Sequence, residues 1–115
     1  MLAPAQTMIA INAVPADRVD EFEEWLRTVI VPATRDQRPD LDGRWRVLRA
    51  TEADDDVVVF AFVFDGGTPE DWDMRPYLEK ALGPAEADRA LERFEGMLRG
   101  EQRSWSFEPV GLDQP

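Results

Sequence analysis

Asn12, Trp72, Arg75 and Tyr77 are the side chains of this sequence best suited to chemistry, and two absences single them out: there is no histidine and no cysteine. Without imidazole, the usual general base near neutral pH and the commonest metal ligand are both missing. Ser-His-Asp hydrolysis, zinc triads and histidine-ligated haem are excluded with it, as thiolate chemistry is by the lack of cysteine, and no metal site is expected. Asn12 is the strongly polar side chain inside the apolar stretch Thr7 to Val14. A buried amide is costly unless paired, so Asn12 could hydrogen-bond a substrate carbonyl or enolate oxygen; the alternative is an outward-facing or backbone-bonded amide. Trp72, Asp73, Arg75 and Tyr77 crowd around Pro76, which is expected to interrupt regular helix and turn them toward a cavity. There Arg75 would hold an anion and Tyr77 would donate a proton. The plainer alternative makes Trp72 and Tyr77 core aromatics and Asp73 with Arg75 a solvated pair of small energetic value.

Trp25 and Trp45, with Phe22, Phe60, Phe62 and Phe94, could line a flat pocket suited to stacking on a polycyclic aromatic ligand, although aromatics at core spacing are mostly structural. Arg44, Arg46 and Arg49 form a basic group that could attract an anion; pairing across a hairpin with nearby acids is the favoured reading. Asp54, Asp55 and Asp56 lack calcium-loop spacing and read as a solvated turn.

These residues need a scaffold, and the chain is long enough for one. Its 115 residues make a single domain, able to bury about two thirds of its unfolded surface. A 43% hydrophobic content argues for a packed core. With 24 acidic residues against 13 basic ones the formal charge is -11, which repels nucleic-acid phosphates and anionic lipid, so neither nucleic acid nor membrane is an expected partner. The opening Met1-Leu2-Ala3-Pro4 shows no basic segment followed by an apolar core, and the expected compartment is the cytoplasm.

Thr7 to Val14 reads as a first strand closed by Pro15. From Asp17, the apolar stripe Val19, Phe22, Trp25 or Leu26, Val29, Ile30 and Ala33 predicts a helix that Pro32 should kink or end, with a loop over Thr34 to Gly43. Arg44 to Thr51 is a second strand. Val57 to Phe64 (VVVFAFVF) is a third, apolar on both faces: Val57, Val59, Ala61 and Val63 on one, Val58, Phe60, Phe62 and Phe64 on the other. Thr68-Pro69-Glu70-Asp71 carries the marks of a helix start. The helix is expected to break at Gly83-Pro84 and resume through Leu98, and Ser104 to Val110 is a half-buried fourth strand with Pro109 suited to an edge. The order β-α-β-β-α-β is α+β, a ferredoxin-like split βαβ: a four-stranded antiparallel sheet with both helical regions on one face. The second face of the VVVFAFVF strand then needs another cover, and a second copy of the chain is the expected one.

This order, together with INAVPADRVDEFEEW (Ile11 to Trp25), where a short strand turns through proline into an amphipathic helix, resembles the dimeric α/β barrel superfamily. That superfamily includes the antibiotic-biosynthesis monooxygenases and small polyketide cyclases. TPEDWDMRPYLEKALGP (Thr68 to Pro84) is similar to the helical lid of its polyketide ring-opening oxygenases. The resemblance implies a sheet-to-sheet homodimer, a pocket between each sheet and its own helices, and an aromatic polyketide-like substrate oxidised without metal. It implies no tightly bound cofactor, but reduced flavin (FAD or FMN) as a diffusible cosubstrate in some members. Asn12, Trp72, Arg75 and Tyr77 would then be catalytic, with Arg75 holding a phenolate or a flavin phosphate, and Trp25, Trp45, Phe60, Phe62 and Phe94 would bind substrate. Histidine-dependent activities of the superfamily do not transfer. Two other functions stay open: a polyketide cyclase or dehydratase using Asp73 or Glu108 as acid and base, and a noncatalytic ligand-binding or interaction dimer.

Overall fold

Strand β3 (Val57–Asp65) pairs on both sides, with β1 (Thr7–Pro15) and with β2 (Trp45–Arg49), while β4 (Arg103–Phe107) closes the sheet beside β1. The order is β2-β3-β1-β4 with every pairing antiparallel, the ferredoxin-like arrangement that the element order implies. The structure, a computed structural model, describes residues 6–112, so the Met1-Leu2-Ala3-Pro4 segment lies outside the described residues. Among them, no helix is long and apolar enough to cross a membrane.

The two faces of β3 part as the alternation requires. Phe60, Phe62 and Phe64 are buried under the helices with Ala10, Asn12 and Val14 of β1, and Phe22, Trp25, Leu78 and Phe94 pack onto them. Phe22 stands 4.8 Å from the Phe60 ring and Trp25 stands 4.9 Å from Phe94. Each such ring contributes about 2 kcal/mol through its burial alone. The opposite face carries Val57, Val59 and Ala61, half-buried, and Val63, buried, none of them part of the core packed under the helices. Leu48, Trp105 and Phe107 remain nearly half exposed. β4 lies at an edge, as Pro109 suggests, and it is exposed along its whole length rather than half-buried.

Four local expectations are corrected. Pro32 does not end the first helical region: α1 (Val19–Trp25) continues through a wider turn (Leu26–Ile30) into α2 (Val31–Gln37). In that turn the Val31 N–H bonds back five residues to Leu26, and a turn loosened in this way admits a proline that has no N–H to offer. The predicted loop from Thr34 is therefore helical to Gln37, followed by a 3-10 turn over Pro39–Leu41. No helix begins at Thr68. Asp71 accepts from the Thr68 N–H (2.8 Å) and hydroxyl (3.1 Å), folding 68–72 into a turn, and α3 (Met74–Leu82) starts later, capped by Asp73. Pro76 then falls in the first turn of α3, where backbone N–H groups lack helical partners anyway, so it does not interrupt the helix. Gly83, at φ +86°, separates α3 from α4 (Pro84–Gly96) as expected.

Candidate functional site

The antiparallel register Ile11↔Arg103 places residue 102 opposite Asn12, just past the last pair of the β1–β4 ladder. Gln102 Nε2 donates to Asn12 Oδ1 at 2.8 Å. Asn12 is fully buried, and its Nδ2 has no hydrogen-bond partner, a donor left open in a core where such groups are nearly always satisfied. A carbonyl or phenolate oxygen would satisfy it.

Gln102 also lines a cavity of about 60 Å³ between the sheet and the helices. The sheet supplies Met8, Ala10 and Ser104 to its wall, and Trp45, Phe62 and Phe64 from the strands on the other side. Ile30 and Thr34 close it from the first helical region, and Trp72, Met74 and Tyr77 from the turn before α3 and from α3 itself. The lining is mostly apolar and aromatic. Thr34, buried at a core phase of the helix, Gln102 and Ser104 are the polar members that sequence reading did not single out as site residues. Thr34 was legible as a polar residue one turn after Ile30; Gln102 required the strand register.

Trp72 is fixed by donating its ring N–H to the Gly66 carbonyl at 2.7 Å and by packing 4.9 Å from Phe64. Tyr77 donates its hydroxyl to the Asp71 carbonyl at 2.9 Å, so ring and hydroxyl hold the 68–72 turn against the cavity. Burial pushes the Tyr77 phenol above its ordinary range, which keeps it protonated at neutral pH and unsuited to act as a base. The turn is also tied to the end of the first helical region. Arg38 reaches Asp71 at 3.1 Å and Asp40 at 2.9 Å, and the Thr68 N–H, then Arg38, hold the Asp71 carboxyl below its ordinary value.

Of the nine residues singled out for catalysis and substrate binding, Trp45, Phe62, Trp72 and Tyr77 meet around this cavity, and Asn12 reaches it through Gln102. Trp25, Phe60 and Phe94 pack in the core instead, where Trp25 donates to the Ala90 carbonyl at 3.1 Å. Arg75 is at the surface, paired with Asp88 at 2.6 Å and within 4.0 Å of Glu79. It lies on the wall of a second, open cleft of about 650 Å³, with Asp73, Glu95 and Glu101. Asp73 is exposed as the α3 cap and Glu108 is exposed beyond β4; neither carboxylate lines the inner cavity. Arg49 pairs with Glu23 of α1 at 2.8 Å rather than across the hairpin. Among the described residues no three acidic side chains converge in a way that could hold a metal ion.

No family model matches this chain, and no curated protein matches its sequence. Solved structures do. A NIPSNAP family protein from Agrobacterium tumefaciens is 8% identical over 94% of this chain and 88% of its own, with a TM-score of 0.58. A candidate antibiotic biosynthesis monooxygenase from Nitrosomonas europaea is 10% identical over 96% and 95%, at 0.53. HapK from Hahella chejuensis is 20% identical over 96% and 97%, at 0.51. At these identities the likeness is one of fold. The chain has a four-stranded ferredoxin-like fold, which it shares with these three structures.

Proposed function

We propose that the chain is a small-molecule oxygenase, acting as a homodimer on an aromatic polyketide-like substrate in the cavity between its sheet and helices. The observation that carries this reading is a cavity walled by Trp45, Phe62 and Trp72 whose Gln102 is bonded to buried Asn12, an amide with an open donor one side chain behind the wall. Aromatic walls bind a flat ring system, and a preorganised donor in a dry site stabilises negative charge on a ring oxygen. No side chain of the cavity is a base, so the substrate must be acidic enough to ionise by itself, as polyphenols and their keto forms are. The electron-rich anion then reacts with O2 directly. A methylene between rings becomes a carbonyl: four electrons leave the carbon and reduce O2, one oxygen atom stays in the product, and the other leaves as water with the two hydrogens. Reduced flavin as cosubstrate would supply two electrons for hydroxylation of a ring C–H, yielding hydroxyl, water and oxidised flavin. Arg75, expected to hold its phosphate, is engaged by Asp88 and Glu79, which favours the flavin-free route. The cyclase reading loses support because its carboxylates stand outside the inner cavity.

An oxygen electrode tests the proposal. Polyphenolic anthrones should give enzyme-dependent uptake of one O2 per carbonyl formed, and Asn12→Leu should reduce the rate by about tenfold or more through loss of one oxyanion donor. Uptake no faster than without protein, both with and without reduced flavin, would reject the oxygenase; a ligand bound and returned unchanged would identify a noncatalytic binding protein.

A further inference from the structure

The inner cavity is too small for the substrate proposed. An apolar cavity of about 150 Å³ accommodates one benzene ring, and this one measures about 60 Å³. A ligand of several fused rings must therefore extend elsewhere. The open cleft of about 650 Å³ adjoins it, because Met74 and Gln102 belong to the walls of both. A flexible thioether and an amide side chain thus face both spaces, and that amide is the partner of Asn12, whose Nδ2 is left open. The cleft beyond is acidic. Asp73, Glu95 and Glu101 stand on its wall against Arg75 alone, and Arg75 is already paired with Asp88 and Glu79.

Resting on the oxygenase reading above, we infer that the substrate spans both chambers across Met74 and Gln102, with the end in the outer cleft uncharged or cationic. A carboxylate at that end would face three acidic side chains with no free guanidinium to offset them, in a chain whose net charge is -11. Arg75 therefore does not select anions; the cleft excludes them. Because these acids are exposed, the discrimination is screened by salt.

Calorimetric titration of the full chain with three probes tests this: 1,8-dihydroxyanthraquinones carrying hydroxymethyl, aminomethyl or carboxyl at position 3. At low salt the carboxyl probe should bind about tenfold more weakly than the other two. The gap should close in about 0.5 M salt and in a Glu95→Gln/Glu101→Gln double variant. Equal or tighter binding of the carboxyl probe by the wild-type chain overturns the inference while leaving the cavity in place as a binding site. Binding of none of the three overturns the cavity reading along with it.

Discussion

Asp71 shows how much one carboxylate can organise. It accepts from the Thr68 backbone and hydroxyl, pairs with Arg38, and lends its own carbonyl to Tyr77, so the wall of the cavity depends on it. Its folded pKa is depressed, and the sign of the linkage follows: the stability it contributes is present above the ordinary aspartate value of 3.8 and is lost as pH falls from there through the lower folded value. Asp71→Asn should therefore cost about 1–2 kcal/mol at pH 7 in urea titrations, and the deficit should vanish in acid once the wild-type carboxyl is protonated. At this scale the sequence was informative where a residue contradicts its own surroundings. Asn12 stands out because an amide interrupts an apolar strand. Gln102 does not, since its meaning comes from a strand paired with it ninety positions away. The pairing of Arg75 is hidden for the same reason: Asp88 lies on the next helix, and sequence shows charge without showing who neutralises it.

Elements were legible where period decided them and obscure where proline did. The stripe of α1 and the inward face of β3 follow from three-to-four spacing and alternation and hold in the structure, whereas β4, expected to be half-buried, is exposed. Pro32 and Pro76 look alike in sequence but act through different backbone contexts, one after a widened turn and one within a first turn where no bond is lost. The 68–72 turn misled because Thr-Pro-Glu-Asp suits a helix start, yet Asp71 folds back onto Thr68 before a helix can form. Gly66 and Gly67, at φ +79° and +78°, make that turn possible. A Cβ on Gly67 would come within 3.0 Å of the Asp71 carboxyl and 3.2 Å of the Trp72 ring nitrogen. Gly67→Ala should accordingly cost about 1–2 kcal/mol and displace Trp72, seen as a lower thermal midpoint and a shifted tryptophan emission. An unchanged midpoint would mean that the turn tolerates the left-handed strain.

For the whole molecule, one fact orders the rest: a sheet whose two faces are both apolar, with helices enough for one. The covered face holds the cavity. The other presents half-buried Val57, Val59 and Ala61 between Leu48 at one edge and Trp105 and Phe107 at the other, the surface on which the proposed homodimer would form. A second copy brings an identical, self-complementary patch, which suits a two-fold pairing. Each copy carries a charge of -11, so salt should tighten the pairing rather than weaken it. Sedimentation equilibrium from about 1 to 100 μM at moderate salt tests this most directly. The account predicts a species of twice the 13.1 kDa chain mass, reduced to single chains by Leu48→Asp with Trp105→Asp. A stable 13.1 kDa monomer across that range would contradict it.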